Sequence, residues 1–281
     1  MGGLRERLLN PVLLREGRVR MRGWRAPALI AVYVGVIGLL LLGMMATMNI
    51  GTSGFAPEMG AILFAFLAVV QMVLLLVAAP GLTGAALAGE RERQTLDLLL
   101  VTRLSAFEVV FGKLMAALGF AGLLLVATLP LYGVLFLFGG VSLMALGRTI
   151  LVYLATLYFV GAIGILWSTV LKRSVAAIVA AYGTVLFLTA GTLFLIVITF
   201  VLYNQPENVP AWIALPIWLN PGVALAIATG GPLSEVRSIF DRVFSVGFGQ
   251  AIWWVYGLWA LGLGSLALWA AARRVHRLTQ E

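Results

Sequence analysis

The residues able to do chemistry in this chain are few and lie close together. Between Ala88 and Leu100 the sequence reads AGERERQTLDLLL, and Glu90, Glu92 and Asp97 form its one acidic cluster, interleaved with Arg91 and Arg93. Carboxylates alternating with guanidinium groups neutralise one another rather than hold a metal ion, so the cluster suits pairing and docking. A helix carrying Glu90, Arg91, Glu92 and Arg93 can make charge-assisted hydrogen bonds to a soluble partner. Thr95, Leu96, Asp97 and Leu98 continue it with an apolar ridge that a groove could seat. The same residues also read as a solvated loop with i,i+3 and i,i+4 pairs, Glu90 with Arg93 and Arg93 with Asp97.

Other chemistries fall away. The chain has no cysteine and one histidine, His276, in a basic C-terminal stretch. Disulfides, thiolate centres, cysteine nucleophiles and histidine zinc sites therefore lack their ligands, and no metal site is expected. No phosphate-cradling loop of the G-x-x-x-x-G-K-[ST] kind is present, because Gly112-Lys113 is followed by Leu114 and lacks the upstream glycine. The chain is accordingly expected to bind no cofactor of its own and not to be an enzyme.

The setting of these residues is apolar. Of 281 residues 62% are hydrophobic, 11% are charged, and the mean hydropathy is +1.06. Soluble domains carry about 45–50% apolar and about 25% charged residues, and a fold of this length cannot bury so large an excess. The composition implies an all-α polytopic membrane protein, a single transmembrane domain over residues 1–281. Six stretches reach the roughly 20 apolar residues that a crossing helix needs: 28–48, 60–80, 113–138, 149–171, 174–202 and 250–272. They are continuous rather than alternating, which marks helices and not barrel strands. No cleavable leader is expected, because a mostly polar and basic segment precedes the first span.

Depth matters as much as type. Glu58, Lys113 and Arg148 fall at expected span edges, and no ionisable side chain falls mid-span. Proton- or sodium-coupled carriers, intramembrane metalloproteases and polyprenyl transferases need such groups. The polar residues at depth are Gln71, Thr128, Tyr132, Tyr153, Thr156, Thr184, Thr189 and Thr192, and their plainest use is bonding between helices. Energy for transport would then come from outside the chain.

Charge placement sets an expected orientation. With the N-terminus inside, 16 of the 19 lysines and arginines fall on the cytoplasmic side, leaving Arg148, Arg237 and Arg242 outside. That bias places both termini in the cytoplasm. It also accounts for the net charge of +8 through contact with anionic lipid heads, with no need of nucleic acid.

Three segments outside the spans have patterns of their own. Residues 10–25 open on Asn10-Pro11, a helix cap and first residue, and carry Arg15, Glu16, Arg18, Arg20 and Arg22 among apolar positions. This suits a short helix lying in the inner interface. In the charged loop, Ser105 and Glu108 form a capping box, so a helix should start near residue 106 and run through Gly112-Lys113. The outer segment 203–249 holds five of the ten prolines. Its apolar run 211–229 is interrupted at Pro216 and Asn220-Pro221, which favours a re-entrant or interfacial hairpin over a seventh span. After Ser234 an amphipathic pattern suits a helix on the outer surface.

The run Gly84–Ser105, with Glu90-Arg-Glu-Arg-Gln-Thr95-Leu-Asp-Leu-Leu-Leu100 at its centre and Gly112-Lys113 after it, resembles the signature loop of ABC-2 type transporter permeases. Asn10-Pro11-Val-Leu-Leu-Arg15-Glu16 with Arg20-Met-Arg-Gly-Trp24 resembles the N-terminal interfacial helix of one bacterial branch. The chain departs from the pattern at Gln94, where many relatives have glycine or another small residue. The resemblance implies a permease of the bacterial cytoplasmic membrane. It would be paired with a second copy or a paralogue and bound to a separate cytoplasmic ATPase that holds ATP and magnesium. Residues 88–99 would be the coupling helix, and the N-terminal helix a second contact touching the inner leaflet. A different class also fits the topology, a membrane scaffold or accessory subunit that moves nothing itself. Substrate identity stays open, and the absence of deep charge favours a hydrophobic or amphiphilic one.

Overall fold

The computed structural model describes residues 24–47, 57–95, 105–195, 198, 218–230 and 252–278. The expected interfacial helix, Leu96, Asp97, Leu98 and the rest of 96–104, and most of the outer segment (203–217 and 231–249) lie outside these residues. Eight helices carry the described chain: α1 (Arg25–Thr47), α2 (Pro57–Thr83), α3 (Ala88–Glu92), α4 (Ala106–Phe136), α5 (Leu143–Val170), α6 (Ser174–Leu186), α7 (Pro221–Thr229) and α8 (Ile252–Leu278). A π-turn, Phe187–Gly191, prolongs α6, and the helical stretch reaches Leu195. No strand occurs among the described residues. Six helical stretches, those of α1, α2, α4, α5, α6 and α8, are long and apolar enough to cross a membrane.

The bundle is built around α5. Its most apolar window is 72% buried, against 11% for α1 and 17% for α6 with its extension. Lipid is as apolar as leucine, so helices in a membrane associate through close packing and interhelical hydrogen bonds. Gly164 on α5 lies so near α2 that a Cβ there would sit 1.9 Å from Thr83 Oγ1. Gly264 on α8 meets Tyr158 of α5 in the same way, at 2.7 Å.

The deep polar residues add bonds to this packing. Tyr153 Oη donates to the Ala68 carbonyl at 2.8 Å and lies 3.0 Å from Tyr132 Oη. Thr156 Oγ1 and Tyr256 Oη are 2.9 Å apart, and Trp167 Nε1 donates to Thr184 Oγ1 at 2.8 Å. Thr128 bonds within its own helix, to the Leu125 carbonyl. Gln71 is fully buried with neither amide atom bonded.

These contacts also fix direction. α2 and α5 meet at Ala68 with Tyr153 and, further along, at Thr83 with Gly164, separations of 85 and 81 residues. The offset barely changes, so the two helices run the same way. α8 runs with them, linked to α5 at separations of 100 and 107 residues. The C-terminal ends of α2, α5 and α8 thus gather at one end of the bundle, which also holds α3 and the starts of α4 and α6.

Two boundaries differ from expectation. α5 begins at Leu143, not near 149, because Ser142 caps it by accepting from the Ala145 amide at 3.1 Å. Arg148 therefore sits inside the helix rather than at its edge, its guanidinium carbon 5.8 Å from the centre of the Trp253 ring. The described part of the outer segment is α7, capped by Asn220, started by Pro221 and ended by Gly230 at φ 62°. Its nine residues rise about 13 Å, too short to cross, and Val223 to Thr229 are all buried.

Candidate functional site

The charged loop folds into a compact device at the end of the bundle where α2, α5 and α8 finish. α2 ends at Thr83, the chain turns through Gly84 to Leu87, and α3 follows with only five residues. A helix that short has no stability of its own in water. It is held by its surroundings.

Its N-terminus has no cap from its own sequence, since Leu87 occupies that position. The missing acceptor comes from α5: Ser168 Oγ receives the Leu87 amide at 2.8 Å and the Ala88 amide at 2.9 Å. Ser168 is fully buried, and Leu87 beside it packs with Val109, Leu114, Ile165 and Val275. Three helices, α4, α5 and α8, therefore converge under this one turn.

The end of α3 is set by backbone geometry. The Thr95 amide donates to the Glu90 carbonyl at 2.9 Å and the Gln94 amide to the Arg91 carbonyl at 3.1 Å, with Gln94 at φ 55°. These are the two bonds and the left-handed residue of a Schellman motif. The expected helix over 88–99 thus stops at Glu92. Thr95 folds back, its hydroxyl bonded to the Glu90 carbonyl and carboxylate.

The four charges divide their work. Glu90 Oε1 lies 3.2 Å from Lys113 Nζ, tying α3 to α4. Lys113 is only 3% exposed, so its charge is spent inside the protein. Arg91 Nη2 donates to the Thr169 carbonyl at 3.4 Å. Glu92 reaches α6, accepting from the Ser174 amide at 3.0 Å and from the Ser174 hydroxyl. Arg173, the cap position of α6, offers no side-chain bond of its own, so Glu92 caps that helix from outside and meets its positive end with a negative charge. Arg93 and Gln94 are exposed.

Ser105 and Glu108 close a capping box at the start of α4: Ser105 Oγ accepts from the Glu108 amide at 3.2 Å, and a Glu108 oxygen accepts from the Ser105 amide at 2.7 Å. Gly112 and Lys113 lie one to two turns further, both buried. Asn10, Pro11, Arg15, Glu16, Arg18, Arg20 and Arg22, like Leu96, Asp97 and Leu98, fall outside the described residues.

Cations crowd this end of the molecule. Lys172 and Arg173 between α5 and α6, and Arg273, Arg274 and Arg277 late in α8, are exposed, as is Arg93. Residues 72–270 match the family described as ABC-2 family transporter protein. The chain belongs to the ABC-2 transporter family. No curated protein matches it. The chain is thus a multi-pass membrane protein and a transmembrane permease component of an ABC transporter, a kind of subunit that associates with an ABC ATPase. The matched stretch contains all of α3, its anchors on α4, α5 and α6, and the buried α7.

Ser168, Thr169 and Ser174, which hold the permease's loop in place, were not visible as site residues in the sequence. Lys172-Arg173-Ser174 does mark a short charged turn followed by a helix start, the one local signal available.

Proposed function

We propose that the chain is the export permease of its transporter and that ATP hydrolysed on a separate cytoplasmic ABC ATPase drives it through α3. The observation that carries this reading is the anchoring of α3. A five-residue helix bonded to α4, α5 and α6 passes any push on it directly to three spans. Such packed elements move as near-rigid bodies. Arg93 and Gln94, exposed at its tip, offer the face on which the ATPase would dock.

The crowding of cations at the end of the bundle that holds α3 supports a cytoplasmic position for that end under the positive-inside rule. With six crossings both termini then lie in the cytoplasm, and the N-terminal basic segment touches the inner leaflet of a bacterial cytoplasmic membrane. A second copy or a paralogue would complete the substrate route between protomers. The absence of ionisable side chains from the middle of the expected spans favours a hydrophobic or amphiphilic cargo.

Glu90, Arg91 and Glu92 are committed within the chain, so reversing them would disturb the fold as well as the partner. Arg93 is the cleaner probe. Tagged permease co-expressed with its ABC ATPase is purified, wild type beside Arg93→Glu, and retained ATPase and its turnover are measured together with the unfolding midpoint. The expected result is an active ATPase on wild type and a reduced amount on Arg93→Glu, with the midpoint unchanged. If wild type retains none, or Arg93→Glu retains as much, the docking assignment fails and a scaffold subunit becomes the better account.

A further inference from the structure

Asn220 spends every hydrogen-bonding position of its side chain, and it divides them between two elements. Its Oδ1 accepts from the Gly222 amide at 2.7 Å and the Val223 amide at 3.2 Å, capping α7. Its Nδ2 donates to the Thr189 carbonyl at 2.8 Å and to Thr192 Oγ1 at 2.6 Å, both on the helical stretch of α6. Asn220 is 1% exposed. The carbonyl it takes belongs to the π-turn Phe187–Gly191, and π-turns within α-helices are frequent at functional sites.

The other end of the same helix is held by α3. Ser174, the first residue of α6, gives its amide and hydroxyl to Glu92. From Ser174 to Thr192 is about 27 Å at the helical rise, close to the roughly 30 Å of a hydrocarbon core. Between these ends α6 rides on α2. Tyr182 Oη donates to the Val77 carbonyl at 2.7 Å, and a Cβ on Gly84 would lie 3.0 Å from Ile178 Cα. One rod therefore joins the coupling loop to the buried outer helix, with a hydrogen-bonded contact at each tip. A small apolar void, no larger than one water molecule and bounded by Leu76, Phe159, Val185, Leu188 and Pro221, lies beside the Asn220 contact.

We propose that Asn220 is a positioning residue: its amide clasps α7 to the π-turn of α6, so that movement of α3 reaches the outer end of the substrate route through α6. The inference rests on the reading of α3 as the point where the ATPase acts. The two halves of the amide can be separated by chemistry. Asn220→Asp keeps an excellent helix cap but cannot donate to Thr189 and Thr192. Thr192→Val removes one of the two acceptors and nothing from the cap.

The chain has no cysteine, so a single Leu219→Cys provides a unique thiol next to the clasp. Its rate of reaction with a maleimide is measured in nanodisc-embedded permease–ATPase complex, without nucleotide and with ATP plus vanadate. The expected result is a rate that depends on nucleotide in the Leu219→Cys parent. Asn220→Asp should abolish that dependence and Thr192→Val weaken it, while ATPase stays bound. If the dependence survives Asn220→Asp with ATPase bound, or the parent shows none, the clasp transmits nothing and the inference is overturned. If no ATPase binds the parent, the reading of α3 falls, and the clasp's input with it. Should Asn220→Asp fail to fold, Thr192→Val decides the matter by the same comparison.

Discussion

Glu90 and Lys113, 23 residues apart in sequence, meet at 3.2 Å where α3 crosses the start of α4. The pair is lopsided: the ammonium is 3% exposed and the carboxylate side chain 30%. Removing the carboxylate takes the Glu90 partner away from a buried ammonium, whereas removing the ammonium leaves Glu90 with Thr95 and solvent. Glu90→Ala should therefore destabilise the permease by about 2 kcal/mol, the range for hydrogen bonds to charged groups. Lys113→Met, of similar length and apolar, should cost less. Thermal unfolding of the two variants in the same detergent tests the order. A larger loss for Lys113→Met would mean that Glu90 is not what makes burial of the lysine tolerable.

Gln94 occupies the left-handed position of the Schellman motif that ends α3. Left-handed backbone costs an ordinary L-residue about 1–2 kcal/mol, which glycine avoids at an entropic cost of about 0.5–1 kcal/mol. Gln94→Gly should accordingly be neutral or stabilise the loop by up to about 1 kcal/mol. Gln94→Val, β-branched, should open it. Hydrogen exchange at the Gln94 and Thr95 amides reads the effect locally: slower or unchanged in the first variant, faster in the second. Equal exchange in both would remove the motif as the reason α3 stops at Glu92.

The same motif shows where sequence reading reaches and where it stops. The capping box of Ser105 and Glu108 is local, four residues that satisfy each other, so its pattern can be read directly. Asn220-Pro221 reads in the sequence as a break in an apolar run, and in the structure that break is the capped start of α7. The end of α3 is harder, because a glutamine in left-handed geometry carries no signal in its residue type. Only the contrast with the glycine of similar loops hints at it. The anchors are not legible at all. Ser168 lies 81 residues from the amide it receives, and Ser174 lies 82 from Glu92. Nothing about a serine in an apolar helix says which turn will come to rest on it. The six spans were readable because burial in lipid demands length and hydrophobicity of each one separately. Which span sits at the centre depends on small residues whose partners are remote, as α5 shows.

Gly164 is the sharpest of those small residues. A methyl group there would sit 1.9 Å from Thr83 Oγ1 and 2.9 Å from Thr83 Cβ. Thr83 cannot swing aside freely, since its hydroxyl is bonded to the Ala79 carbonyl at 2.7 Å and the residue is fully buried. Gly164→Ala must then part α2 from α5, at a cost of about 1–3 kcal/mol or more. Parting them also draws the Leu87 and Ala88 amides away from Ser168, so the anchor of α3 should loosen along with the bundle. Gly262→Ala on α8, where nothing lies within 4 Å, is the matched control and should leave the unfolding midpoint unchanged or slightly higher. Thr83→Ala deletes the clashing oxygen, so Thr83→Ala combined with Gly164→Ala should recover part of the loss. A double variant merely as unstable as the sum of its singles would mean that the two residues do not meet, and the close approach that places α3 over Ser168 would have to be abandoned.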